Sequence, residues 1–195
     1  MSKKILITHQ KGGTGKSTLT FNLAQNISKN ASVAILDLDL QGSLSSVKDL
    51  VTDFEIIPYK GRIKEIQNLD YDFIFIDTPP YLSQQLPELI QVADLIIIPT
   101  KAGVLDLLAI NSTIELIENE NKQEKSMLVF NMIKPNTTLT LDILISLEEY
   151  NIPIAKTRIS DLVAFTRSVL VGGVNNKNAQ KQLDNLTKEV LTKLI

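Results

Sequence analysis

Between residues 10 and 18 the chain reads Gln10-Lys11-Gly12-Gly13-Thr14-Gly15-Lys16-Ser17-Thr18, with three glycines, two lysines and three hydroxyl side chains in nine positions. Glycines let a backbone curl until successive N–H groups point at one anion. A helix starting near Lys16 would add the positive end of its dipole to that nest. The Lys16 ammonium could then reach the β- and γ-phosphates of a nucleotide, and the Ser17 hydroxyl could ligate Mg²⁺. Phosphoryl binding and transfer is the chemistry that these residue types predict, with a nucleotide and Mg²⁺ as the cofactors. Against the general pattern G-x-x-x-x-G-K-[ST], Gln10 stands where the first glycine falls, and Lys11 is a second cation inside the loop.

Two carboxylate-bearing segments could serve such a loop. Asp37-Leu38-Asp39-Leu40-Gln41-Gly42-Ser43 follows the apolar run Val33–Leu36. Asp37 and Asp39 are two apart, so on an extended strand they point the same way, into solvent or into a nucleotide crevice. Tyr71-Asp72-Phe73-Ile74-Phe75-Ile76-Asp77-Thr78-Pro79-Pro80 carries four apolar residues that end in Asp77, placed to hold Mg²⁺ through water. Thr78-Pro79-Pro80 keeps the following backbone extended. Met127-Leu128-Val129-Phe130-Asn131 ends in an amide that offers one donor and one acceptor edge, suited to a base or simply to a turn. His9, the sole histidine, is read as a packed strand-end residue.

These residues need elements to position them, and the chain supplies an alternation. Strands are predicted at Ile5–Thr8, Val33–Asp37, Phe54–Pro58, Asp72–Ile76, Leu95–Pro99, Met127–Asn131 and Ile152–Thr157. Helices are predicted at Lys16–Lys29, Leu105–Asn119, Leu139–Tyr150 and Ala179–Leu194. Several strands are apolar at consecutive positions, as suits strands covered on both faces of a parallel sheet. The expected fold is a single three-layer α/β domain over residues 1–195, a P-loop NTPase domain with a mostly parallel central sheet flanked by helices. At 195 residues and 44% hydrophobic composition the chain can bury one continuous core. There are no cysteines, which excludes disulfides, thiolate zinc sites and cysteine-ligated iron–sulfur clusters. The apolar run near the N-terminus is too short for a signal peptide or a membrane span.

The segment Lys11-Gly12-Gly13-Thr14-Gly15-Lys16-Ser17-Thr18 resembles the deviant Walker A motif of the ParA/MinD family, closest to small ParA-type partition ATPases. The resemblance extends over essentially the whole chain and is strongest up to about residue 80. It implies that Lys11 crosses a dimer interface to the partner's nucleotide, as a second cation at the scissile phosphate. It also implies that Asp39 orients the attacking water, that Asp37 supports the Mg²⁺ shell and the adjoining switch, that Asp77 is the Walker B acid, and that Asn131 pairs with adenine. Gly12, Gly13, Thr14, Gly15, Ser17 and Thr18 complete the nucleotide contacts. Two positions depart from the family pattern. Leu40 replaces a proline after Asp39, and Leu162 stands where an arginine is common, a role that could have moved to Arg167.

Charge is uneven along the chain. Residues 156–195 carry seven bases and three acids, a balance of +4, so residues 1–155 carry −6 of the total of −2. On the last predicted helix Ala179, Leu183, Leu186, Val190 and Leu194 form one apolar stripe, and Lys177, Lys181 and Lys188 lie opposite, interrupted by Asp184. That face is a solvated surface or, with Arg158 and Arg167, a patch for DNA phosphates. The expected function is an ATP-switched partition or positioning ATPase that forms a homodimer on ATP, binds nonspecific DNA and answers to a ParB-like or cargo adaptor protein. A cytoplasmic, nucleoid-associated location follows from that expectation. The alternatives are a MinD-like membrane-positioning ATPase and an ATP-dependent metabolic enzyme of the same fold. The chain stops at Ile195 within the last helical pattern, without a following amphipathic tail, which argues against the membrane. No helix-turn-helix extension precedes the loop, which argues against operator binding.

Overall fold

The computed structural model describes residues 2–39, 44–81, 84–134, 145, 147 and 149–195. Six of the predicted apolar runs form strands: β1 (Lys3–Ile7), β2 (Val33–Asp37), β3 (Glu55–Pro58), β4 (Phe73–Asp77), β5 (Leu95–Thr100) and β6 (Ser126–Phe130). They pair in the order β3-β2-β4-β1-β5-β6, and every pairing is parallel. Alternate residues of each strand face opposite sides. Ile5, Ile7, Ile35, Phe75, Ile97 and Val129 enter one buried cluster, whereas Leu6, Leu36, Ile74, Ile76, Ile96 and Leu128 enter the other. Two cores separated by one sheet make a three-layer domain, the P-loop architecture expected from the alternation.

Helices close both faces. α1 (Lys16–Ile27) shares the first cluster with α4 (Val163–Val171) and α5 (Lys177–Lys193), through Leu23, Phe165 and Leu186 among others. α2 (Leu86–Val92) and α3 (Val104–Asn119) close the second through Leu89, Ile90, Ile110 and Ile114. α2 and α4 are absent from the predicted helices, since seven and nine residues give periodicity little room. The helix expected at Leu139–Tyr150 falls largely outside the described residues, as does Leu40.

The seventh expected strand, Ile152–Thr157, does not form as a strand. It runs parallel to β6 only as an isolated bridge between Leu128 and Ile154. Leu128 N donates to Pro153 O, and Ala155 N donates back to Leu128 O. The ladder then stops where the chain bends at Lys156, and Glu189 of α5 takes the Lys156 and Thr157 amides. Its carboxylate accepts from Lys156 N and Thr157 N, both at 2.8 Å, and from Thr157 Oγ1 at 2.6 Å. Phe130 O, the acceptor that Thr157 N would meet in a continued parallel ladder, accepts from Ile159 N at 2.9 Å, and Thr157 N takes the charged carboxylate.

The sheet order places the site. β1 lies centrally, with β4, β2 and β3 on one side and β5 and β6 on the other. Ligands of open parallel sheets bind beyond the strand C-termini where the chain changes side. The loop after β1 leaves the sheet at that point. Beside it, Asp77 pairs in register with both Ile7 and Asp37, so both strand-end carboxylates reach the same edge.

Candidate functional site: a phosphate loop at the sheet switch point

Gly13 and Gly15 adopt positive φ of 73° and 85°, left-handed conformations that favour glycine. At Gly15 a Cβ would also collide with the Asn131 amide nitrogen, so only glycine fits there. Gly15 is the N-cap of α1 and supplies no side-chain cap, and no acid occupies the helix's first turn. The first amides of α1 therefore keep their capacity for an anion.

Lys16 is buried, and its ammonium donates to His9 O at 3.1 Å and Lys11 O at 3.2 Å. Burial lowers its pKa, while Asp77 and Asp39 oppose that shift. The Ser17 hydroxyl donates to Asp77 Oδ2 at 2.6 Å, and the Thr20 hydroxyl donates to Asp77 Oδ1 at 3.2 Å. Burial above all pushes the Asp77 carboxyl up to about 7; the Ser17 and Thr20 hydrogen bonds and Lys16 pull it down, and Asp37 adds to the rise. Among the described residues no group of three or more acids and histidines could hold a metal alone. A hydroxyl beside a buried carboxylate suits Mg²⁺, which keeps water and takes oxygens from phosphates rather than a full protein cage.

Asp37 uses both carboxylate oxygens on the segment that follows it. Oδ1 accepts from Asp39 N at 3.0 Å, and Oδ2 accepts from Ser45 N at 2.8 Å and Ser45 Oγ at 2.6 Å. In this arrangement it holds Asp39 and Ser45 at the site's edge. Asp39 is half-buried there, close enough to influence Lys16.

His9 is fully buried, as expected of a packed strand end. Its Nδ1 accepts from Lys11 N at 2.9 Å, which assigns the proton to Nε2. Burial, reinforced by Lys16, lowers its pKa to about 4, so it is neutral at pH 7. The Lys11 side chain lies outside the Lys16–Ser17–Asp77 group and reaches Asp106 on α3, with Nζ 2.6 Å from Oδ1.

A cavity of about 250 Å³ continues from the loop. Gly13, Gly15, Thr18 and Asn131 belong to its lining, together with the apolar Leu19, Ile159, Leu162 and Phe165 and the polar Ser160 and Asp161. Asn131 donates from Nδ2 to Thr14 O at 2.9 Å, so one of its hydrogens braces the loop itself. Asn22, also in the lining, donates to Thr18 O and Phe165 O and leaves its buried Oδ1 without a hydrogen bond, as does Thr14 with its hydroxyl. A chamber with apolar walls and the Asn22 acceptor, continuous with a phosphate nest, fits a nucleotide. In the sequence, Ile159, Leu162 and Phe165 stand out only for the missing arginine. Leu162 instead gives the cavity an apolar wall, and Arg167 does not line it. Asn22 carries no sequence signal short of its position one turn beyond the loop.

Arg158, Arg167, Lys177, Lys181 and Lys188 are all exposed. Ala179, Leu183, Leu186 and Val190 are buried beneath the three lysines, as the helical spacing requires. Asp184 accepts from Asn26 Nδ2 and Gln180 Nε2, neutral donors that leave the lysines unneutralised by it.

The fold and this edge define a P-loop nucleotide-binding protein. Residues 5–175 match the CobQ/CobB/MinD/ParA nucleotide-binding domain, and the chain belongs to that family. It is 27% identical over 206 residues to maintenance of carboxysome distribution protein A of Halothiobacillus neapolitanus, covering 96% of this chain and 95% of that one. A plasmid partition protein from Borrelia burgdorferi B31, bound to AMPPNP, superposes with a TM-score of 0.78 at 24% identity and full coverage of both chains. Cobyrinic acid a,c-diamide synthase from Mycobacterium smegmatis, with ADP and magnesium, gives 0.74 at 18% identity, covering 98% of this chain and 94% of that one. The fold thus serves both positioning proteins and a synthetase.

Proposed function

We propose that the chain is an ATP-dependent partition or positioning ATPase that dimerises around Mg-ATP, binds nonspecific DNA in that state and is stimulated by an adaptor protein. The observation that carries this reading is the second lysine of the phosphate loop. Lys11 sits at the rim, partly exposed, beyond the buried Lys16 and the Ser17–Asp77 pair. A cation there can serve a second copy's nucleotide, which a synthetase acting alone does not require. Similarity to a carboxysome-distribution protein over nearly the full length supports the positioning role.

Bound Mg-ATP would supply the phosphoanhydride and the divalent charge. Lys16 and the amides from Gly12 to Thr18 would hold the phosphates, with Ser17 and Asp77 on the metal side. Asp37 would keep Asp39 and Ser45 in place so that Asp39 orients water for in-line attack. Lys11 of a second copy would offset charge that grows on the transferred phosphoryl group. Asn131 would meet the base while bracing Thr14. The exposed lysines of α5 would meet DNA phosphates, and the protein would work in the cytoplasm on the nucleoid.

The test is molecular size with and without ATP, alongside binding to duplexes of unrelated sequence. A dimer with ATP, a monomer with ADP and ATP-dependent DNA binding are expected. Lys11→Ala should still bind ATP as a monomer but lose dimerisation and turnover. Normal dimerisation and hydrolysis by that variant would overturn the reading.

A further inference from the structure

Lys11 and Asp106 are 95 positions apart in the chain, yet their charged groups touch at 2.6 Å. The sheet makes this contact. β5 pairs with β1, so the start of α3, which follows β5, stands beside the loop that follows β1. Asp106 lies in the first turn of α3, where its amide donates to Gly103 O. A carboxylate is favoured there by the helix dipole. Its side chain is only 15% exposed, against 35% for Lys11, so the pair is better shielded than an ordinary surface contact. The Lys11 backbone is also anchored, through its N–H, on His9 Nδ1.

We infer that Asp106 is a positioning residue that holds Lys11 against its own protomer until a second nucleotide-loaded copy offers a stronger anion. This rests on the role proposed above for Lys11. An ammonium bound to Asp106 Oδ1 is not available to a phosphate across an interface, and a triphosphate carries more charge than one carboxylate. Closure therefore exchanges one anion for another at each Lys11. Both protomers must open their pair, so the effect on the dimer is the square of the effect on one chain. The pair raises the nucleotide threshold for dimerisation without touching nucleotide itself.

Asp106→Asn keeps the size and hydrogen-bonding oxygen of the side chain and removes its charge. Two readouts separate the outcomes. The first is the rate at which a dilute amine-acylating reagent labels Lys11 in the nucleotide-free protein, read by mass spectrometry. The second is the dimer dissociation constant in ATP. Labelling in the Asn variant should accelerate by about fivefold, the equivalent of ~1 kcal/mol, the upper end for partly exposed pairs. The dimer should tighten by roughly twenty-five-fold, that factor squared. Asp106→Glu should restore slow labelling and the parent's dimer affinity, which a merely structural defect would not do. Should the Asn variant fold poorly, added salt must accelerate Lys11 labelling in the parent, because salt screens the pair. Unchanged labelling, or a dimer unchanged or weakened in the Asn variant, overturns the assignment of Asp106 while the dimer reading stands. A parent that never dimerises in ATP overturns the dimer reading, and the role of Asp106 with it.

Discussion

The Ser17 hydroxyl donates to Asp77 Oδ2 at 2.6 Å, although the two residues are 60 positions apart and lie on a helix start and a strand end. The contact joins the phosphate loop to the carboxylate whose burial raises its pKa to about 7 from an ordinary 3.8. The folded, nucleotide-free protein thus keeps a proton that the unfolded chain releases between about pH 4 and 7. Stability from this group is present in full below about pH 4 and is lost as pH rises through 7.

Asp77→Asn should therefore stabilise the nucleotide-free protein at pH 8, with the gain shrinking to nothing near pH 4. His9 titrates in the opposite sense, since its folded pKa is lowered, but it does so in both proteins and drops out of the difference. A gain of about 1 kcal/mol would appear as a rise of roughly 2–4 °C in Tm for a chain of this size. The same variant should lose Mg²⁺-dependent tightening of nucleotide binding. A Tm difference independent of pH would remove the buried-charge explanation.

Lys16→Ala should weaken nucleotide binding by at least about a hundredfold, because charged hydrogen bonds are worth roughly 1.5–3 kcal/mol each. Calorimetric titration with a nonhydrolysable ATP analogue checks this, with circular dichroism as the control for folding. Affinity within a few-fold of the parent would show that the buried ammonium serves only His9 O and Lys11 O, its present acceptors.

Asp39→Ala should leave ATP and Mg²⁺ binding near the parent's and slow hydrolysis by about 10²–10⁴-fold, the usual range for a group that orients or deprotonates the nucleophile. The ATP-bound dimer should then persist. Single-turnover hydrolysis at the parent rate would take Asp39 out of the reaction.

Replacing Lys177, Lys181 and Lys188 together by alanine should flatten the salt dependence of DNA binding, by a log–log slope of roughly 0.9 for each phosphate no longer neutralised. Basal ATP hydrolysis should not change, because all three lie on the exposed face of α5, and exposed lysines contribute little to stability. Binding in the parent should not depend on sequence, as lysines on phosphates carry no base readout. A triple variant with the parent's slope would shift attention to Arg158 and Arg167.

What the sequence determined by itself was local. Nine contiguous residues from Gln10 to Thr18 carry the glycines, cations and hydroxyls of a phosphate nest, and continuous apolar runs such as Phe73–Ile76 suit strands covered on both faces. Tertiary structure decided which distant groups meet. The register of β2 on β4 brought Asp37 beside Asp77, and the β1–β5 pairing brought Asp106 to Lys11. Where the expected seventh strand ends, Thr157 N turns to Glu189 of α5 and Phe130 O accepts from Ile159 N. The Asn131 amide, expected to read a base, donates to Thr14 O. None of these meetings has a sequence spacing of its own, because strand order and helix docking, rather than chain separation, set the distances.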